Sequence, residues 1–216
     1  MISNNLKKRI ITSIFLSIVI LVMFYYKPVL ALMLLIIGNF CVIEFSYILN
    51  GIYKNNFYKT LVNIIFIIFI FSFCLLFFFL SNFFQTKIIL FSFLICCAAS
   101  DIGGYIFGKT FKGPKLTIIS PNKTIAGAIG SIILSSIVFI GIFYYFFDNI
   151  NLKFFIIAVF TSIGCQIGDI FFSYLKRKAK IKDTGNFLPG HGGFLDRVDG
   201  ILLGVPIGFV TLTLLF

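Results

Sequence analysis

Long apolar runs separated by short polar connectors dominate the chain. A helical run of about 20 residues crosses the roughly 30 Å hydrocarbon core of a bilayer. Seven runs approach that length, at residues 10–26, 28–50, 60–80, 88–108, 125–147, 154–175 and 200–216. The pattern predicts an all-α, polytopic integral membrane protein of about seven transmembrane helices, with residues 1–216 forming a single membrane-embedded domain.

The first apolar run follows three basic residues, Lys7, Lys8 and Arg9, as the apolar core of a signal peptide does. It continues almost directly into the second run, across Lys27 and Pro28, without a convincing cleavage site. We therefore expect the first run to be retained as a membrane span.

The composition supports the bilayer as the main solvent of the chain. Hydrophobic residues make up 60% of it and charged residues 12%, whereas soluble domains are about 25% charged. A net charge of +11 would suit nucleic acid, but the basic residues lie in short connectors, and no nucleic-acid partner is expected. The charge instead predicts attraction to anionic membrane lipids and to a polyanionic substrate. The five cysteines lie inside apolar runs without C-x-x-C spacing, which predicts neither disulfides nor a zinc site.

The distribution of basic residues predicts the orientation, because lysine and arginine in short loops stay on the cytoplasmic side. With the N-terminus inside, 15 of the 18 basic residues fall on the cytoplasmic side, and the exceptions are Lys27, Lys87 and Lys153. The two longest polar connectors, residues 109–124 and 176–199, then lie in the cytosol, where nucleotides are found.

Acidic residues cluster near these two connectors and mark the candidate site. Five of the seven acidic residues lie within or beside them, namely Asp101, Asp169, Asp183, Asp196 and Asp199. An aspartate inside a span costs at least about 2.5 kcal/mol at the bilayer centre, so one that is kept usually has a partner or a function. Asp101 and Asp169 both fall inside predicted spans.

Asp169 lies seven residues before Lys176, so helical rise places it roughly 10 Å inside the cytoplasmic end of its span. There it could line a cavity open to the cytosol, or it could form a buried ion pair with a nearby lysine or arginine. Gly164 and Gly168 precede it at a spacing that lets another helix backbone approach closely.

Asp196 and Asp199 lie three residues apart at the entry to the last span, so both carboxylates would share one face of a helix. Converging carboxylates are what Mg²⁺ requires, since this cation prefers oxygen ligands and usually arrives with nucleotide phosphates. The alternative is that these acids only interact with the positive end of the helix dipole.

Three polar elements are candidates for phosphate contacts. Ser120-Pro121-Asn122-Lys123-Thr124 precedes the fifth span, where a hydroxyl, an amine and helix N-terminal amides could hold a phosphate. His191 lies in a glycine-rich run and could contact substrate or serve the loop structure. The basic residues from Lys176 to Lys182 could clamp phosphates or only contact anionic lipid.

Together these elements form one long pattern. It consists of Ser173-Tyr-Leu-Lys176-Arg177, Lys182-Asp183, Pro189-Gly-His191-Gly192-Gly193 and Asp196-Arg197-Val-Asp199, in that order over 27 residues. The pattern resembles the signature of the bacterial phosphatidate cytidylyltransferases, the CDP-diacylglycerol synthases. Upstream, Ser100-Asp101 with Gly103-Gly104-Tyr105, the Ser120 to Thr124 loop and Gly168-Asp169 also resemble that family. The resemblance covers residues 100–200, the expected catalytic half, and fuller members have additional membrane segments in the N-terminal half.

The resemblance implies transfer of CMP from CTP to phosphatidic acid, which gives CDP-diacylglycerol and pyrophosphate for phospholipid biosynthesis. It implies a bacterial inner membrane location, an active site facing the cytoplasm, and Mg²⁺, with room for a second cation, bound by Asp169, Asp196 and Asp199. The resemblance is also compatible with a homodimer. The residues it implicates in catalysis are Asp169, Asp196, Asp199, Lys176, Arg177 and Arg197. The residues expected to bind substrate are Asp101, Ser120, Asn122, Lys123, Thr124, Lys182, Asp183, His191, Gly192 and Gly193.

Four alternative functions compete with this prediction. Asp196-Arg197-Val198-Asp199-Gly200 imitates the start of the CDP-alcohol phosphotransferase signature, but no further acidic residue follows Asp199. Cytidylyl transfer to another membrane phosphate, or a CTP-dependent polyprenol kinase, fits the long pattern less well. A secondary transporter could use Asp101 and Asp169 as cation sites, but the polar residues concentrate on one side of the membrane. The expected active site is a polar cleft at the cytoplasmic face.

Overall fold

A computed structural model of the chain describes residues 4–148, 150–185, 187 and 192–216, and of residues 4–11 and 13 it describes the backbone alone. Its elements are seven α-helices: α1 (Asn4–Tyr25), α2 (Lys27–Ile52), α3 (Asn56–Leu80), α4 (Phe84–Phe111), α5 (Ile125–Phe147), α6 (Leu152–Lys178) and α7 (Leu195–Leu215). The described residues contain no β-strand, and an isolated bridge joins Lys115 and Thr124.

Six helices, α2 to α7, are long and apolar enough to cross a membrane. In α1, the described residues include a shorter apolar segment, Ile14–Tyr25. The prediction of an all-α, polytopic membrane protein is therefore confirmed. The first predicted span does form a helix, but its described apolar segment is shorter than the others.

Most of the helices extend beyond the apolar runs that predicted them, mostly at their polar ends, whereas α5 coincides with its run. Helix α6 continues to Lys178, and α7 begins at Leu195 rather than at residue 200. The reason is that hydropathy marks the lipid-compatible part of a helix, whereas caps and connectors decide where it ends. Helix α3, for example, begins after Asn55, whose side chain accepts a hydrogen bond from the Phe57 N–H at 2.9 Å.

The chain divides into two compact units. The first comprises Met1–Lys87 and Leu175–Val198, and therefore contains α1 to α3, the first turn of α4, the end of α6 and the first residues of α7. Within it, the Phe45 ring of α2 stacks on the Phe66 ring of α3 with centroids 3.8 Å apart. The end of α2 packs tightly against the connector after α6, since a Cβ added at Gly51 would lie 2.9 Å from the Ala179 carbonyl oxygen.

The second unit comprises Ile88–Tyr174 and Asp199–Phe216. Its helices approach one another through small residues, as is common where lipid gives no hydrophobic drive for helix association. A Cβ added at Gly164 on α6 would lie 3.1 Å from the Leu203 carbonyl oxygen of α7, and one at Gly168 would lie 2.5 Å from the Asp199 carbonyl oxygen. The close approach expected at these two glycines is therefore present.

The crossing of α4 and α5 gives a direct test of this packing. A Cβ at Gly103 would overlap the Gly130 carbonyl oxygen, whereas a Cβ at Gly141 would meet no atom within 4 Å. We expect Gly103→Ala to destabilise the protein by about 1–3 kcal/mol, the usual cost of overpacking, and Gly141→Ala to be neutral or slightly stabilising. The described cysteines are all buried, so heating in the presence of a thiol-reactive fluorophore reports unfolding. Equal transition midpoints for the two variants would contradict the packing described.

Candidate active site

A cavity of about 330 Å³ opens in the second unit among α4, α5, α6 and the connector before α5. Six of the residues expected from the sequence to bind substrate or metal line it: Asp101, Ser120, Asn122, Lys123, Thr124 and Asp169. The remaining lining residues are Gly104, Tyr105, Leu116, Gly127, Ala128, Ser131 and Gln166. Residues that are distant in the sequence, such as Asp101 and Asp169 at a separation of 68 positions, thus line one polar cavity.

The connector before α5 is folded by its own hydrogen bonds. The Lys123 N–H donates to the Ser120 carbonyl at 3.0 Å, and the Leu116 N–H donates to the Lys123 carbonyl at 2.8 Å. Thr124 then caps α5, its hydroxyl oxygen accepting from the Gly127 N–H at 3.1 Å. The turn and the cap together place hydroxyls, an amide and an ammonium at the positive N-terminal end of a helix, which favours anionic ligands.

Lys123 and Asp169 form an ion pair across the cavity, with 2.7 Å between Nζ and Oδ2. Their side chains are 29% and 20% exposed, so the pair is reached by solvent but partly sheltered from it. Both interpretations of Asp169 from the sequence therefore apply, since it lines a cavity and is paired with a lysine. The ammonium offsets the cost of an aspartate inside an apolar helix.

Asp169 belongs to a small cluster of potential cation ligands. One ligand atom each from Asp101, Cys165 and Asp169 lies within 4.8 Å of the others. Asp199 approaches the same region, because α6 and α7 touch at Gly168 and Asp199, and a Cβ at Gly200 would lie 2.9 Å from Asp169 Oδ1. The carboxylates suit a hard cation such as Mg²⁺, whereas the buried Cys165 thiol is a soft donor that does not.

Asp196 lies in the first unit and is held by protein donors on both oxygens. Oδ1 accepts from Lys176 Nζ at 2.6 Å, and Oδ2 accepts from the backbone N–H groups of Thr184 at 2.9 Å and Gly193 at 3.2 Å. The Lys176 and Asp196 side chains are 11% and 8% exposed. In this structure Asp196 therefore holds the connector between α6 and α7, and its expected role as a metal ligand stays a prediction.

The other expected residues of this connector are mostly at the surface. Lys182, Asp183, Arg177 and Arg197 are exposed, and Asp183 lines a second cavity of about 340 Å³ in the first unit. Gly192 has φ of 83°, a left-handed conformation that favours glycine. His191 lies outside the described residues.

Two residues near these sites were missed by the sequence analysis. Glu44 is a buried carboxylate of α2 that lines the cavity of the first unit with Asp183 and Thr184. Gln166 lies three residues before Asp169 on α6 and donates through its amide to the Ala128 carbonyl at 3.3 Å. Glu44 is the only glutamate of the sequence and lies inside an apolar run, where an acidic residue usually has a partner or a function. This feature could have identified Glu44 from the sequence.

Comparison with known proteins gives consistent matches. The model of the Cytidylyltransferase family matches residues 9–215. A phosphatidate cytidylyltransferase of Rickettsia bellii is 47% identical over 118 residues, which cover 50% of this chain and 51% of the relative. Proteins of the same name from Rickettsia typhi and Staphylococcus haemolyticus are 38% identical over 140 residues and 42% identical over 121 residues. These two alignments cover 61% and 55% of this chain, and 61% and 46% of the respective relatives. The chain spans about half the length of the curated relatives it matches.

The ion pair of Asp196 generates a stability prediction. Asp196→Asn removes the charge that the largely buried Lys176 faces, and breaking such a pair costs about 3 kcal/mol, or roughly a hundredfold in the equilibrium for local opening. We expect trypsin to cut the variant faster at the lysines between Lys178 and Lys182, which are exposed at Lys178, Lys180 and Lys182. Asp183→Asn, which changes an exposed carboxylate of the same connector, is the control. A cleavage rate for Asp196→Asn no higher than that of the control would show that the pair does not hold the connector.

Proposed function

The chain belongs to the cytidylyltransferase family, and on that basis we propose that it transfers CMP from CTP to phosphatidic acid, giving CDP-diacylglycerol and pyrophosphate for phospholipid biosynthesis. Relatives that are 38–47% identical over the aligned parts carry the name phosphatidate cytidylyltransferase. The observation that supports the proposal most strongly is the cavity of the second unit, where charged and hydroxyl groups are gathered between apolar helices. Such a space suits a nucleotide that must meet a lipid phosphate.

In the proposed reaction a phosphate oxygen of phosphatidic acid attacks the α-phosphorus of CTP. A new P–O bond forms, the bond from the α-phosphorus to the bridging oxygen breaks, and pyrophosphate leaves with the electron pair. The attacking phosphate monoester is already largely ionised near neutrality, since its second pKa is about 6. A general base is therefore not required, and none is assigned.

The residues of the cavity supply the electrostatic part of this reaction. Lys123 carries the ammonium nearest to Asp169, and the Ser120 and Thr124 hydroxyls lie on the same connector. Positive charge and oriented donors are worth most where water is excluded, because they stabilise charge that develops during the transfer. We propose that these groups bind the phosphates of CTP, with Lys176, Arg177 and Arg197 as further basic residues for the leaving pyrophosphate.

The carboxylates of the second unit fit a divalent cation, and we propose Mg²⁺ as the cofactor. Asp169 and Asp199 are the proposed ligands. Asp101 supplies a further carboxylate, one oxygen of which lies within 4.8 Å of an Asp169 carboxylate oxygen. A bound Mg²⁺ would neutralise negative charge on the nucleotide phosphates. Asp196 is surrounded by hydrogen-bond donors of the first unit. Its proposed role as a metal ligand therefore rests on the sequence resemblance alone.

The six long apolar helices and the bacterial relatives support an integral membrane protein. We further propose a bacterial inner membrane location with the N-terminus and both polar connectors in the cytoplasm. This orientation follows from the excess of lysine and arginine in those connectors. It exposes the cavity of the second unit to cytoplasmic CTP.

The proposal predicts a specific activity and its loss. Purified protein in lipid nanodiscs with Mg²⁺, phosphatidic acid and CTP labelled in the cytosine ring should form a cytidine-labelled lipid. Asp169→Asn should lower this rate about a hundredfold or more, the usual effect of removing a charge from such a site. Asp148→Asn is the matched control, since Asp148 caps α5 in a left-handed conformation that asparagine also adopts.

Membrane insertion and thermal midpoints of the two variants should remain close to those of the unmodified protein. No labelled lipid from the folded, unmodified protein would refute the proposed activity, and would instead favour the transporter alternative. Near-normal turnover by Asp169→Asn would show that Asp169 is not needed for catalysis, and it would leave the proposed activity itself unrefuted.

A further inference from the structure

Glu44 is a carboxylate inside an apolar helix, and it is 2% exposed. It lies in α2, one of the helices long and apolar enough to cross the membrane. A buried carboxylate at such a position is costly unless donors of the protein surround it. The donors that surround Glu44 therefore identify the part of the chain that it stabilises.

Among the described residues, three donors contact Glu44, and each belongs to the segment that leads into α7. Oε2 accepts from the Thr184 hydroxyl at 2.6 Å and from the Leu195 N–H at 2.8 Å, and Oε1 accepts from the Phe194 N–H at 2.9 Å. The backbone N–H groups at the start of a helix have no partner within that helix. Glu44 supplies this partner, and its negative charge faces the positive end of the α7 dipole.

Two glycines of the same segment are explained by this carboxylate. A Cβ added at Gly185 would lie 2.9 Å from Glu44 Oε1, and one at Gly193 would overlap both Glu44 Oε2 and the Thr184 hydroxyl. Gly193 is the last glycine of the Pro189 to Gly193 run that the sequence analysis singled out. Its lack of a side chain allows the backbone at Gly193 to approach the Glu44 carboxylate closely.

The Thr184 hydroxyl links Glu44 to Asp196. It lies 2.6 Å from Glu44 Oε2 and 3.1 Å from Asp196 Oδ2, and Asp196 is paired with Lys176. Both carboxylates also accept backbone N–H groups of the connector. The single hydroxyl proton is shared between the two carboxylates as a three-centre bond with the shorter branch to Glu44, so both anions hold the backbone around Thr184.

We propose that Glu44 is a positioning residue: it acts through Thr184 to hold Asp196 and Lys176 in place for the transfer reaction. This inference rests on the proposed function for its catalytic consequence, but not for the loop structure itself. It assigns a role in the site to α2, which lies outside the region of the sequence resemblance.

Glu44→Gln is an informative change because it keeps the size of the side chain and removes a matched acceptor. Each carboxylate oxygen of Glu44 faces at least one N–H donor, so either orientation of an amide places its NH₂ group against a donor. We expect kcat to fall about tenfold or more, the scale expected when a buried donor loses its acceptor. Amide hydrogen exchange at Phe194 and Leu195 should become faster by a similar factor.

Thr184→Val tests the link without touching the backbone contacts of Glu44. It should also lower kcat about tenfold, and the double variant should be little worse than Glu44→Gln alone, since residues of one hydrogen-bonded chain act together. Ser46→Ala is the control on the same helix, because Ser46 bonds to Asn63 at 3.0 Å and not to the connector. It should match the unmodified protein in kcat and in exchange.

Several outcomes would overturn the inference. These are an unchanged kcat in Glu44→Gln, unchanged exchange at Phe194 and Leu195, or effects of the two substitutions that multiply in the double variant. If Glu44→Gln does not fold, Thr184→Val decides, and an unchanged kcat in that variant would overturn the inference. If the unmodified protein forms no cytidine-labelled lipid, the proposed function fails, while the exchange measurement still decides whether Glu44 holds the segment.

Discussion

Hydrocarbon offers a carboxylate no hydrogen bonds, so an acidic residue within an apolar helix needs donors from the protein itself. This constraint governs the polar parts of both units. Asp169 is paired with Lys123, Asp196 with Lys176, and Glu44 is surrounded by the Thr184 hydroxyl and two backbone N–H groups. Each partner lies in or next to a polar connector. The acidic residues thus determine how the two long connectors fold onto the helices, and the connectors carry the candidate chemistry.

The same arrangement accounts for the glycines of the helices and loops. In the second unit, Gly164 and Gly168 let α6 approach α7 closely enough to bring Asp169 near Asp199. In the first unit, Gly193 lets the backbone approach the Glu44 carboxylate closely. Small residues therefore serve two purposes, helix contact within the apolar layer and close approach of a backbone to a carboxylate. Both uses concentrate around the acidic residues.

Much of the fold followed from the sequence because lipid imposes a simple pattern. The apolar runs predicted the helices, and the errors were at polar ends such as the start of α7 at Leu195, where hydropathy no longer reports helix limits. Asp101, Asp169 and the Ser120 to Thr124 segment were expected near one site, and they line one cavity. Glu44 was missed because its partner Thr184 is 140 residues away, and no local pattern encodes such a contact. The donors around Asp196 lie only 3 to 20 residues away, but they belong to an irregular connector whose fold no helical periodicity encodes.

We propose that the cavity of the second unit serves transfer of a cytidylyl group and not of a terminal phosphate. Parallel reactions with CTP radiolabelled at the α-phosphorus or at the γ-phosphorus, in nanodiscs containing phosphatidic acid, distinguish the two reactions. We expect the α label in the lipid, the γ label only in pyrophosphate, and lipid and pyrophosphate in equal amounts. A γ label in the lipid, or release of CDP, would instead show a CTP-dependent kinase.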